Sequence, residues 1–376
     1  MANMLDYLDW RGDLPVAADG WNAVDALILA NFCYNELSDL VSGEGVLSLR
    51  ELMPHLDLPE KKGSPFYTKW RLLIFRMAET VRFGDMRIHD YADITDESRN
   101  IQFAAVTVDF ADGSSFVCFR GTDGSVVGWR EDFNMAFEYP VPAQAAAVRY
   151  LEHVARKTDG PLRICGHSKG GNLSVYASVH ADEAVQSRIR AVYSFDGPGL
   201  DDESMASQGY ARIRGVVRSY IPQASVVGLL LSYHPEYVIV KSNSHSLLQH
   251  DAFTWQLMGP DFVEVENVSR GSRLMDETLH EWLRECSPDQ RRLLVNTLFD
   301  VLQSADGETF SDLFKNPKAS LSAILGAARQ VDLSTMMMIG KMVKRLAQIG
   351  VGNIAELMGR DSDNALPEGK TDSSEQ

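Results

Sequence analysis

A serine set between glycines, Gly166-His167-Ser168-Lys169-Gly170, is the part of this chain whose residue types and spacing could carry covalent chemistry. Glycine is common enough that G-x-S-x-G also arises by chance, so the flanks decide. A nucleophilic serine of this kind needs a sharp turn between a buried strand and a helix, which projects the hydroxyl outward. Residues 162–165, LRIC, read as a buried strand, and residues 170–184 read as a helix. Side chains two residues either side of the serine would collide in such a turn, so Gly166 and Gly170 have a steric reason. Gly171 lets the helix approach the sheet, and the start of that helix favours developing negative charge. The alternative is an ordinary serine in a chance cluster of glycines.

Acyl transfer also needs donors for the oxyanion. One is expected from the backbone N–H of Lys169, the residue after the nucleophile, and another from a loop after an earlier strand. Residues 119–133 fit that loop, because Gly121 permits a turn and Thr122 offers both N–H and hydroxyl. The base should be a histidine beyond the last core strand, in the chain order serine, acid, histidine. Both His245 and His250 follow the apolar run 237–242. His167 lies inside the turn and reads as a structurally hydrogen-bonded ring, and His234 reads as a loop residue. Asp196 ends the run 189–195 and is either the acid or a turn aspartate before Gly197-Pro198. Asp251 is badly placed to bond the ring of its own neighbour, His250. The Lys169 side chain is either a solvated lysine or a cation at a cleft mouth that would favour an anionic group.

Over roughly residues 85–255 the sequence resembles the class 3 lipases. Phe119-Arg120-Gly121-Thr122, with Trp129 and Asp132, is similar to their oxyanion strand and loop. Residues 166–171 are similar to their nucleophile elbow, and Phe195-Asp196-Gly197-Pro198 to the segment after their next strand. The resemblance is closest to an uncharacterised bacterial branch of these α/β-hydrolases that also carries IPQxSxVG (here residues 221–228) and QHDxFxW (here residues 249–255). It implies a triad of Ser168, His250 and Asp196, with His250 preferred over His245. The lipases usually take their acid one strand later, where this chain has Gln223-Ala224-Ser225 and no charge. Some related hydrolases draw it from the position of Asp196.

The elements that must hold these residues are legible as strands alternating with helices. Residues 101–110 and 114–121 are β-rich and separated by the turn signal Ala111-Asp112-Gly113. A helix is expected over 143–158, and further strands over 189–195, 216–221 and 237–242. This implies an α/β-hydrolase fold with a mostly parallel central sheet, flanking helices and a C-terminal helical extension. Residues 21–41 and 66–82 have helical spacing, so 1–84 reads as an N-terminal helical segment packed on a core at 85–260. A helical region is expected over 261–359, with a capping box at Ser287-Pro288-Asp289-Gln290 and methionines 336, 337, 338 and 342 as packing residues. The acidic tail 360–376 reads as disordered.

The formal charge of −16 argues against a nucleic-acid surface. No apolar stretch approaches the ~20 residues of a membrane-spanning helix, and the N-terminus lacks the pattern of a secretory leader. The four scattered cysteines form no metal motif and suggest a reducing, cytoplasmic setting, with Cys118 and Cys165 as buried apolar residues. The expected function is a serine esterase or lipase that needs no cofactor and acts on a small-molecule or lipid ester. A non-catalytic hydrolase-like module that binds a protein partner through its terminal helices is one alternative. A thioesterase or acyltransferase using the same residues is another.

Overall fold

The computed structural model describes residues 2–38, 40–41, 46–56, 65–99, 101–122, 134–135, 138–229, 231, 236–273 and four isolated positions, 287, 289, 292 and 337. Eight strands lie side by side in chain order: β1 (Leu47–Ser48), β2 (Arg87–Asp96), β3 (Ile101–Asp109), β4 (Ser115–Phe119), β5 (Leu162–His167), β6 (Ile189–Phe195), β7 (Val217–Pro222) and β8 (Tyr237–Val240). The pairings from β1 to β4 are antiparallel, and those from β4 to β8 are parallel. The helices are α1 (Met4–Arg11), α2 (Val16–Asp19), α3 (Ala23–Phe32), α4 (Leu49–Leu52), α5 (Pro65–Glu79), α6 (Pro142–Lys157), α7 (Lys169–His180), α8 (Glu183–Gln186), α9 (Asp202–Ala206) and α10 (Gln208–Ile213). This is an α/β-hydrolase architecture.

Both faces of β4 and β5 are largely buried, so these strands read as near-continuous apolar runs, whereas Arg190 of β6 and Arg218 of β7 are exposed. Along β4 the period of two still sorts the side chains. Phe116 and Cys118 join a cluster with Leu27, Ile28 and Phe32 of α3, while Val117 and Phe119 join Leu151 of α6 and Leu173 of α7 on the opposite face. The N-terminal helices therefore form one of the two layers that cover the sheet.

Several expected elements shift. The helix expected over 21–41 ends at Phe32, where the Asn35 amide donates to the Phe32 and Trp70 carbonyls. Tyr34, Leu37 and Val41 stay buried in turns, so an apolar pattern continued past the helix. Strand β2 was not anticipated. Its acidic sequence breaks the alternation, and its pairing with β3 is interrupted between His89 and Ala92, where Asp90 has a φ of 51°. The expected hairpin closes β3 onto β4, with Gly113 at a φ of 79° that suits glycine. The capping box, the helices expected after residue 273 and the acidic tail lie outside the described residues. Of the methionines assigned to packing, Met337 is exposed and the other three lie outside them.

Candidate active site

Ser168 links β5 to α7 with φ 58° and ψ −132°, a left-handed conformation that costs free energy for a residue with a Cβ. The turn is held by the Ser168 N–H, which donates to the Phe195 carbonyl at 2.9 Å, and by the Gly171 N–H, which donates to the Ser168 carbonyl at 2.8 Å. The steric role of the glycines is visible at two positions. A Cβ on Gly166 would lie 2.2 Å from the backbone of Gly170, and one on Gly170 would lie 2.1 Å from the Phe119 carbonyl oxygen. Gly121 meets the elbow from the β4 side, where a Cβ would fall 2.2 Å from the Tyr34 hydroxyl and 3.1 Å from Ser168 Cβ.

Asp196 follows β6, also at positive φ (47°), and is 1% exposed. Its Oδ2 lies 2.6 Å from His250 Nδ1. Its Oδ1 accepts from the Ser225 hydroxyl at 2.5 Å and from the Gly228 N–H at 3.1 Å. Gly228 is needed there because a Cβ would come 2.6 Å from that same carboxylate oxygen. Three donors thus surround one buried carboxylate, which a buried charge requires. Ser225 supplies no charge, but it supplies a hydrogen bond to Asp196 one strand away.

His250 ends a short 3-10 turn, Ser246–His250, and keeps part of its ring accessible. Gln249 braces the turn: its Oε1 accepts from the Ala224 N–H at 2.8 Å, its Nε2 donates to the Ser244 carbonyl at 3.0 Å, and its own carbonyl accepts from Trp255 Nε1 at 2.8 Å. Asp251 caps the next turn and pairs with Lys69 of α5 at 2.5 Å. His245 is exposed and makes no contact with Asp196 among the described residues. No hydrogen bond joins Ser168 Oγ to His250 among the described residues, and in ligand-free sites this contact is often long.

His167 is buried, and burial followed by the nearby His250 pushes its pKa down to about 3. Its Nε2 donates to the His250 carbonyl at 2.8 Å. Lys169 corrects both readings of its side chain. It is 1% exposed, neither solvated nor at a cleft mouth, and its ammonium donates to the Gln102 carbonyl at 2.9 Å. Its backbone opens α7. Thr122 directly follows Gly121 at the end of the described part of its loop, and Trp129 and Asp132 lie outside the described residues. Arg120, just before the loop, is anchored by two hydrogen bonds to Asp93 of β2, at 2.7 and 2.9 Å.

Tyr34, Ser225 and Gln249 were not anticipated at the site. The second and third lie inside residues 221–228 and 249–255, the segments that carry part of the sequence resemblance. No group of three metal-binding side chains occurs among the described residues, and no described helix is long and apolar enough to cross a membrane.

Three solved structures are similar to this chain over part of its length. The M37 lipase is 13% identical, with a TM-score of 0.35, over 54% of this chain and 68% of its own. A fungal lipase–inhibitor complex is 11% identical, with a TM-score of 0.35, over 63% and 79%. A triacylglycerol lipase from Penicillium expansum is 12% identical, with a TM-score of 0.29, over 49% and 76%. No curated protein matches the sequence. The family model described as Mbeg1-like matches residues 77–300, more than half of the chain. The chain belongs to the Mbeg1-like family.

Proposed function

We propose that this protein is a serine hydrolase of carboxylic esters. Ser168 Oγ attacks the ester carbonyl carbon while its proton passes to His250 Nε2. The resulting oxyanion is held by the Lys169 N–H and by Thr122. Collapse of the tetrahedral intermediate breaks the bond to the alcohol, which leaves with the proton from His250. Water then attacks the acyl carbon as His250 takes its proton, the acyl–Oγ bond breaks, and His250 returns that proton to Ser168 as the carboxylic acid departs. Asp196 holds the Nδ1–H and stabilises the imidazolium.

The observation that carries this reading is the 2.6 Å bond between buried Asp196 and His250 Nδ1, which directs the other ring nitrogen away from the acid. The test is an ester-length panel with fluorophosphonate labelling, run on the wild type and on Ser168→Ala, His250→Ala and His245→Ala. Ser168→Ala and His250→Ala are expected to lose activity by about 10³-fold or more, and Ser168→Ala to lose the label. His245→Ala should behave as wild type. Hydrolysis and labelling that survive Ser168→Ala would overturn the reading.

A further inference from the structure

The base is held by more than its acid. His167 and His250 lie with ring centroids 4.7 Å apart, but their bond runs from the His167 ring to the His250 main chain. A carbonyl oxygen only accepts, so the His167 proton sits on Nε2. The ring is neutral at ordinary pH because burial pushes its pKa down, so Nδ1 is an acceptor. The Tyr34 hydroxyl lies 3.4 Å from that Nδ1 and donates to the His167 carbonyl oxygen, also at 3.4 Å. The Tyr34 ring is fixed in turn by stacking on Trp70 of α5, with centroids 4.3 Å apart and planes 14° apart.

Resting on the hydrolase reading above, we propose that His167 is a positioning residue for His250, its Nε2–H fixing the backbone of the base while Asp196 fixes the ring. Gln249 and Asp251 hold the turn from either side of His250, and the His167 bond is made to the carbonyl of His250 itself. The single bond to Asp196 leaves the imidazole free to swing about the Nδ1–Oδ2 axis. A main-chain anchor removes that freedom and sets where His250 Nε2 meets the serine proton. Misplacing a reacting group by about 1 Å can cost about 10²-fold in rate.

The test separates donation from ring packing, since His167 also meets Trp255 edge-on at 6.4 Å. His167→Phe keeps an aromatic ring and loses the donor, while His167→Gln restores an N–H at similar reach. With an ester turned over by the wild type, His167→Phe should lower kcat by about 10- to 100-fold with KM within about twofold. His167→Gln should recover to within about threefold of wild type, at unchanged Tm. Wild-type kcat in His167→Phe, or no recovery in His167→Gln, overturns the proposal. A second readout needs no turnover. The imidazole ¹⁵N spectrum of His250 should show faster exchange of its Nδ1–H in His167→Phe, and an unchanged spectrum overturns the positioning role. A wild type without Ser168-dependent turnover defeats the hydrolase reading, and the spectrum then still decides whether His167 holds His250.

Discussion

Ser225 donates its hydroxyl hydrogen to Asp196, with Oγ 2.5 Å from Oδ1. The two residues sit just beyond neighbouring strands, β6 and β7, which run parallel with Phe195 opposite Tyr220. The carboxylate therefore comes from the earlier strand, and the later strand contributes a neutral donor that occupies the oxygen not used by His250. Replacing Ser225 with Ala leaves Oδ1 with the Gly228 N–H and one donor fewer. Ser225→Ala should cost about 1–3 kcal/mol in urea unfolding and about tenfold in ester kcat. Ser225→Ala with unchanged stability and turnover would show that the Gly228 N–H alone suffices.

The parts of the molecule buried on both sides were legible in the sequence. Strands β3, β4 and β5 announce themselves because continuous burial demands near-continuous apolar runs, and α6 shows the spacing of a helix with one buried face. Strand β2 stayed hidden because it lies nearer the sheet edge, carries Asp90, Asp93 and Asp96, and bulges, so its pattern resembles a loop. Lys169 was read as a surface residue because lysine is rarely buried without a partner, and its partner Gln102 lies 67 positions away. Tyr34 reaches His167 across 133 positions, and no local spacing encodes that contact. Ser225 was read for the charge it lacks, because a chain read strand by strand does not reveal that two strand ends serve one carboxylate.

The elbow is closed by backbone contact, so its glycines should tolerate a methyl group very unequally. On Gly170 a Cβ would meet the Phe119 carbonyl oxygen at 2.1 Å and its carbon at 2.9 Å, both main-chain atoms of β4. On Gly215 a Cβ would meet nothing within 4 Å. Gly170→Ala should lose more than about 2 kcal/mol or fail to yield folded protein. Gly215→Ala should stay within about 0.5 kcal/mol of wild type. Equal denaturation midpoints for the two variants would mean that the close approach of α7 to β4 is not rigid.

His89 sits between two carboxylates, 2.9 Å from Asp90 and 3.0 Å from Asp109. Burial pushes its pKa down, but its bonds to Asp109 and Asp90 outweigh that, and the net shift is upward. Both carboxyls are held below their ordinary values. Burial opposes this, while Lys157, His89 and His153 lower Asp90, and His89, Ser115 and Arg87 lower Asp109. A raised histidine pKa stabilises the fold fully below its unfolded value of about 6.5, and that contribution fades as pH rises through the folded value. The lowered carboxyls act above about 3.9 and lose their contribution as pH falls. The stability gap between wild type and His89→Gln should therefore be widest between about pH 4 and 6.5 and narrow by pH 9. Denaturant melts across that range check the sign, and a gap that widens toward pH 9 would refute it.

Asp25 and Arg82 form an ion pair with both side chains wholly buried, at 2.5 and 2.7 Å. Asp25 also accepts from the Tyr7 hydroxyl at 2.8 Å and caps its own helix through the Asn22 N–H at 3.0 Å. Arg82 further donates to the Gly20 and Leu14 carbonyls, so the pair ties α1, α3 and the chain beyond α5 into the layer that carries Tyr34. Removing one partner strands a charge in an apolar layer, which costs about 3–5 kcal/mol, whereas replacing both with apolar groups leaves no stranded charge. Arg82→Met and Asp25→Leu should each be strongly destabilising, and the double variant should fall short of their sum by more than about 1 kcal/mol. A double-mutant cycle from urea unfolding measures that difference. Additivity within about 0.5 kcal/mol would mean that the two charges are stabilised by their other partners and not by each other.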